Sequence, residues 1–416
     1  MKIADGVYVH FIPTQKYKTT RIVFRMTGSL NKQTIAKRAL VSQMLATANQ
    51  TYPTVQSFKE RLASLYGTQL STKVSTKGLT HSVDIELTYL KDFFIPMNTS
   101  LFWEVLGFLM DCLYNPLSIV AQYQNKVFDM EKQNLMTYLD VDTENNYYYS
   151  EVQGRELYFV NEALKVPKYG RVELVEAETS FTAYQEFQSM LTKDRIDIFM
   201  VGEFDDYQVL RGLHRFPLEG RQVDLQFSYN QPYSKVVKEK IETRQTRHSI
   251  FQLGYQFPCQ YGDKDYFALI VFNGMLGEFA HSALFTKIRE KEGLAYSIGS
   301  QFDAFTGLLE IYAGIEKSNR NQAMRGIIRE LNHIKLGRFS SSLFNQTKKI
   351  IRMNALLSED HALTLVEQHF NKVIFGDKKI SLEDWLDKIE KVTKKDVCRI
   401  ARQVKLQSLF FLEGVS

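Results

Sequence analysis

Ser82-Val-Asp-Ile-Glu-Leu-Thr-Tyr89 alternates apolar and polar side chains without a break, the pattern of an extended strand with one buried face. Upstream, Arg21-Ile-Val-Phe-Arg-Met26 has the same strand character, and two helix-like stretches lie between the strands, over 35–48 and from about residue 54. Downstream come long helical segments over 101–114 and 123–139, a further helix over 182–191 and the strand Ile196-Asp-Ile-Phe-Met-Val201.

The order is then repeated, and an internal repeat outranks any single motif as evidence of architecture. In the second copy Ser249-Ile-Phe-Gln-Leu-Gly-Tyr255 is the first strand, 266–277 and 282–290 are the paired helices, and Leu308-Leu-Glu-Ile-Tyr-Ala-Gly314 is the returning strand. Helices over 320–336, 343–357 and 397–404 and the strand Ser408-Leu-Phe-Phe-Leu412 complete it. Ser381-Leu-Glu-Asp384 and Thr393-Lys-Lys-Asp396 each fit a capping box, which fixes two helix starts near the C-terminus. Strands interrupted by paired helices, outside strict βαβ alternation, predict an α+β fold: two tandem homologous domains, each an antiparallel sheet with helices packed on one face. Residues 216–247 turn polar and lose periodicity, so the expected division is a first domain over 1–215, a linker over 216–247 and a second domain over 248–416.

Composition narrows the function. Fifty-two basic and 47 acidic residues are interspersed and form no basic run with interleaved aromatics, which argues against nucleic-acid binding. Cys112, Cys259 and Cys398 are odd in number and lack any C-x-x-C spacing, so neither a disulfide framework nor a structural zinc site is expected. The N-terminal stretch alternates (Val7, Val9, Phe11) where a leader would carry an apolar block, and no apolar run is long enough for a membrane span. A cytoplasmic location is expected.

Leu284-Phe-Thr-Lys-Ile-Arg-Glu-Lys-Glu-Gly-Leu-Ala-Tyr-Ser-Ile298, preceded by Asn273-Gly-Met-Leu-Gly277, resembles the C-terminal domain signature of the pitrilysin, insulinase and mitochondrial processing peptidase family. The resemblance covers essentially the whole chain and is to the non-catalytic members of paired bacterial zinc peptidases. Active members carry His-x-x-Glu-His on a helix: two imidazoles at i and i+4 hold zinc and the Glu acts as general base on its water. Aligned on Met44-Leu45, those positions are Ala39, Ser42 and Gln43 in this chain; with Glu131 as the earlier carboxylate of a later helix, the third ligand position falls on Tyr138. A check independent of alignment agrees, since no two of the eight histidines are three or four residues apart. His361 and His369, with Glu367 between them, are eight apart and read as an ordinary helix face. The chain is thus expected to bind no cofactor, with zinc in a partner subunit.

Arg289 and Tyr296 match the Arg and Tyr that the family's C-terminal domain turns toward the opposite zinc site, where the resemblance implies contact with a peptide substrate. A guanidinium fork suits peptide carbonyls or a carboxylate, and a phenol can donate to an oxyanion. The structural alternative is an Arg in a last helical turn, Gly293 as C-cap and a rim Tyr opening a strand. Gly274 and Gly277 read as a close-packed turn, weakly as a phosphate cradle; Tyr147-Tyr-Tyr149 beside Asn145-Asn146 reads as a half-buried helix flank. The expected role is therefore the non-catalytic subunit of a heterodimeric zinc peptidase, partnered by an active subunit of similar size, with a homodimer as the state in its absence. The alternatives are a scaffold or interaction protein and, less favoured, an autonomous metalloprotease.

Overall fold

The computed structural model describes residues 1–95, 100–376 and 381–415. Contacts divide the chain into two compact units, Met1–Val141 with Val166–Gln226, and Asp142–Lys165 with Phe227–Ser416.

The first unit contains β1 (Lys2–Ala4), β2 (Val7–Pro13), β3 (Thr19–Ser29), β4 (Gln69–Lys77), β5 (Thr80–Leu90), a short hairpin of β6 (Ser118–Ile119) and β7 (Gln122–Tyr123), and β8 (Arg195–Gly202). Six of these form one sheet in the order β1-β2-β8-β3-β5-β4, antiparallel except where β2 runs parallel to β8. Its helices are α1 (Ile35–Leu45), α2 (Val55–Ser64), α3 (Leu101–Tyr114), α4 (Asn125–Glu144), α6 (Val172–Glu176), α7 (Ser180–Lys193) and α8 (Asp206–Leu213), while α5 (Asn146–Tyr158) belongs to the second unit. The alternation that marked the strands sorts the two faces: Ile22, Phe24, Met26, Val83, Ile85, Leu87, Ile196 and Ile198 join the helices in one apolar core.

The other face carries charge. Register places Asp197, Arg25, Asp84 and Lys73 in one row across four strands, alternating in sign. Arg25 binds Asp84 through two hydrogen bonds of 2.8 and 2.7 Å with both side chains buried. Arg195 grips Asp197 at 2.7 and 2.9 Å, and His10 adds a third contact to it at 2.8 Å. Such pairs are tolerable away from water because every carboxylate oxygen meets a donor in a fixed fork.

Arg38 ties α1 to this sheet. Buried, it reaches the Asp194 carboxylate at 2.5 and 3.3 Å, Glu186 at 3.3 Å and the His81 carbonyl at 2.9 Å. Burial works against its cation, but the carboxylates of Asp194 and Glu186 outweigh it and hold the guanidinium charged. Beside it the fully buried His81 must donate from Nε2 to the Lys168 carbonyl at 2.9 Å, which leaves Nδ1 without a partner among the described residues.

The second unit repeats the plan. Its strands β9 (Lys238–Gln245), β10 (Ser249–Gln256), β11 (Ser297–Asp303), β12 (Leu308–Ile315) and β13 (Lys405–Val415) are ordered β11-β12-β10-β13-β9, and the one parallel pair is β9 with β13. This is the first sheet's β4-β5-β3-β8-β2 over again. Helices α9 (Tyr266–Asn273), α10 (Arg320–Lys335), α11 (Ser341–Ser358), α13 (Leu382–Lys391) and α14 (Lys394–Gln403) pack with Phe251, Leu253, Ile311 and Phe411 on one face, and α12 (Ala362–Ile374) lies between α11 and α13 in sequence. Both capping boxes read from the sequence, Ser381 with Asp384 and Thr393 with Asp396, are formed. The opposite face is covered by α5, whose Tyr149 and Leu157 pack on Ile250, Phe410 and Leu412. Gly154 permits the approach, since a Cβ there would lie 2.4 Å from the Gln252 side chain.

Two expected boundaries need correction. The stretch 216–247 is not simply a linker: Arg221 is buried and donates to the carbonyls of Leu191 and Glu219, and 238–245 is β9, counterpart of β2. An edge strand wearing Lys238-Glu-Lys-Ile-Glu-Thr-Arg-Gln245 has one hydrogen-bonding side open to solvent and no need of apolar alternation. Residues 142–165, expected within the first domain, supply the second unit's α5. Each sheet also keeps one parallel pair within its antiparallel order, a detail that alternation along single strands does not encode.

Two outcomes follow from the Arg38 cluster. Arg38→Ala leaves the Asp194 carboxylate buried without its cation and should lower unfolding free energy by about 3–5 kcal/mol in urea titration. Burial, helped by the Arg38 cation, pushes His81 down to about 3. Between that value and the ordinary imidazole range the unfolded chain takes up a proton that the folded chain refuses. Stability from this residue is therefore complete above about pH 6.5 and falls by about 1.4 kcal/mol per pH unit below it. Urea titrations from pH 4 to 8 should show this slope in the native chain and its removal in His81→Asn.

Candidate functional site

A metal helix would be α1. Ala39 on that helix is fully buried in the first unit's core, Ser42 is buried, and Gln43 is half-buried. A methyl group, a neutral hydroxyl and an amide occupy the i, i+3 and i+4 positions where zinc requires two imidazoles and its water requires a carboxylate base. On α4, Phe128, Glu131, Leu135 and Leu139 form the buried stripe. Glu131 is already engaged: the Thr47 hydroxyl lies 2.9 Å from one carboxylate oxygen and the Asn134 amide 3.3 Å from the other. Tyr138 stands on the exposed side of α4 with its ring 5.9 Å from that of Tyr169. No group of three or more His, Cys, Asp or Glu side chains is disposed to hold a metal among the described residues. The donor set does not fit zinc.

Arg289 and Tyr296 belong to the second unit. Phe285–Lys291 is π-helical, a wide turn whose hydrogen bonds span five residues and which recurs at functional sites. Leu284 and Ile288 anchor it in the core, which leaves Phe285 and Arg289 on the outer side. The Arg289 guanidinium sits 4.6 Å over the Phe285 ring and 3.6 Å from the Glu290 carboxylate, a solvent-exposed pair of little energetic consequence. The wide turn closes with Glu292 N–H on the Lys287 carbonyl at 3.0 Å, and Gly293 follows at φ +62° as the left-handed residue that ends it.

Tyr296 immediately precedes β11, its N–H bonding the Gly314 carbonyl at 2.8 Å. The ring is half out of the protein and packs on His248 at 4.6 Å, while the hydroxyl donates to the Glu316 carboxylate. That hydrogen bond to an acceptor anion holds the phenol above its usual range. Among the described residues no hydrogen bond or ring contact joins Arg289 to Tyr296; both are accessible, and each has its own local support. His248 and Glu316 escaped the sequence reading because their relation to Tyr296 depends on strand pairing, not on spacing along the chain.

The remaining candidates are structural. Asn145 caps α5 through the N–H groups of Tyr147 and Tyr148, Asn146 donates to Thr246, and Tyr147 accepts from Ser297 at 2.7 Å. Tyr149 donates to Glu242 on β9. Gly274 opens a second π-helical turn, Gly274–Glu278, and Gly277 packs against β11 at Ser300. No helix among the described residues is long and apolar enough to cross a membrane.

Comparison with known proteins bears on both halves. The family description "Peptidase M16 inactive domain" matches residues 184–351. A Bacillus subtilis protein described as a probable inactive metalloprotease, YmfF, is 30% identical over 411 residues, 98% of this chain and 96% of that one. A conserved protein of Enterococcus faecalis V583, known from a crystal structure, superposes with a TM-score of 0.96 at 34% identity, covering 100% of this chain and 98% of its own. A crystal structure from Pseudomonas fluorescens described as a peptidase M16 inactive domain shares the fold at TM-score 0.79 and 13% identity, covering 99% of this chain and 97% of that one.

The donor set makes a direct prediction: equilibrium dialysis of the purified chain against zinc, followed by metal analysis, should give substoichiometric metal. One zinc per chain would contradict the reading of Ala39, Ser42, Gln43 and Tyr138.

Proposed function

The chain belongs to the M16 peptidase family as a non-catalytic homologue, and from that premise we propose that it is the binding subunit of a two-chain zinc peptidase. Its partner is an active subunit of similar size that carries His-x-x-Glu-His and the zinc, and the ligand they share is a peptide. The observation that carries this reading is the pairing of a lost donor set on α1 with an Arg289 and a Tyr296 that stay accessible at the family's positions. Solvated Arg and Tyr groups at those two places are open to a docked peptide.

In the complex Arg289 holds a carbonyl or carboxylate of the bound peptide through its fork, with the Phe285 ring restricting where the guanidinium points. Tyr296 exchanges its Glu316 acceptor for the oxygen that gains charge as the partner's water attacks the scissile carbonyl. Water activation is the partner's work.

A second reading has one observation in its favour. The Tyr296 hydroxyl already has an acceptor within its own chain, which suits an interaction scaffold that merely retains the fold. Kinetics separate the two. The isolated chain should hydrolyse no peptide, and mixing it with the His-x-x-Glu-His subunit should give turnover. Arg289→Ala should raise KM and Tyr296→Phe should lower kcat by about 100- to 1000-fold, the range for loss of one oxyanion donor. Size-exclusion chromatography should show the mutant complexes intact. Full activity in both mutant complexes would remove the site and leave the scaffold.

A further inference from the structure

On the helical side of the second sheet, α9, α11, α12 and α13 enclose a cavity of about 350 Å³, within the size range of small-molecule sites. Its residues are separate from Arg289 and Tyr296, so a ligand bound in it is independent of the proposed function. Tyr266, Phe267, Phe279 and Trp385 supply aromatic walls. They form a framed set: Tyr266 meets Phe267 edge-on at 5.6 Å and Phe267 meets Trp385 at 5.8 Å. Phe279 is stacked on His281 at 5.5 Å, and His281 is pinned to Thr347 by a 2.8 Å hydrogen bond.

Among the described lining residues the charged groups are Glu278, Glu359 and Lys372. Glu278 is the better placed of the carboxylates. It ends the π-helical turn, and the buried Asn273 donates to one of its oxygens at 3.0 Å while the Ser300 hydroxyl bonds Asn273 in turn at 2.7 Å. Among the described residues Glu278 has no cationic partner. The Glu278 side chain reaches solvent; partial desolvation raises its titration and the Asn273 hydrogen bond offsets part of that rise.

We propose that this cavity binds a cationic aromatic group: a ring between the walls of Phe267, Phe279 and Trp385, with its ammonium on the Glu278 carboxylate. Rings present negative faces to a cation and apolar area to an aryl group, and the carboxylate supplies a charge-assisted hydrogen bond. The chemistry is shared by free arylalkylamines and by peptides whose first residue is aromatic with a free amino terminus. Aryl carboxylates of the same shape are disfavoured by the same charge.

Trp385 reports occupancy. Trp103 is the chain's second tryptophan, so Trp103→Phe in the full-length protein leaves Trp385 as the only indole. Titration with phenethylamine should give a saturable emission change, with binding about 10-fold or more tighter than for 3-phenylpropanoate. Glu278→Gln should abolish that preference while the emission response to both probes persists. Phe279→Leu should weaken both probes alike. Tighter binding of phenylalanyl-alanine amide than of phenethylamine assigns the site to peptide amino termini, and the reverse order assigns it to small amines. No saturable change, equal affinity for the two charges, or a preference that survives Glu278→Gln would overturn the proposal.

Discussion

One buried cation, Arg38, organises the first unit. From the first turn of α1 it reaches the Asp194 carboxylate just before β8 and the His81 carbonyl on β5, so a single side chain fixes the helix against strands distant in sequence. The fit is close. A Cβ on Gly28 would lie 2.5 Å from the Asp194 oxygen and 2.9 Å from the Arg38 nitrogen, so only glycine suits that point of β3. This clamp fixes α1 without any help from the side chains of Ala39, Ser42 and Gln43. The helix is held by an ion pair and by the core beneath Ala39, and the fold needs no bound ion to keep α1 in place.

The duplicated sheets handle their second faces differently. In the first unit, opposed charges in register neutralise one another strand by strand across Asp197, Arg25 and Asp84. In the second, α5 covers the equivalent surface and brings apolar contacts together with an Arg155 to Glu310 ion pair at 3.4 Å. Both answers satisfy the rule that buried polar groups need partners. The second borrows its covering helix from elsewhere in the chain.

Much of this was legible in the residues. Alternation exposed β5 because one of its faces is apolar and the other charged, although both are buried, and the capping boxes at Ser381 and Thr393 marked their helices through chemistry that acts within four residues. β9 stayed hidden because a charged edge strand looks like surface loop, and α5 because nothing in Tyr147-Tyr-Tyr149 says which sheet it will meet. The π-helical geometry that presents Arg289 was also unreadable, since no periodicity of side chains distinguishes a seven-residue wide turn from an ordinary helix. Of the candidate site, the identities of Arg289 and Tyr296 were visible, but not the Phe285, His248 and Glu316 groups that hold them.

The excursion of α5 has a bearing on biosynthesis. This helix leaves the ribosome early, yet the strand it rests on most, β13, is the last to be made. About 250 residues separate them, on the order of tens of seconds of translation. Until β10 and then β13 emerge, Tyr149 and Leu157 lack all or part of the sheet they cover, so the nascent chain carries the apolar side of α5 incompletely covered. It is the kind of segment that chaperones are there to shield.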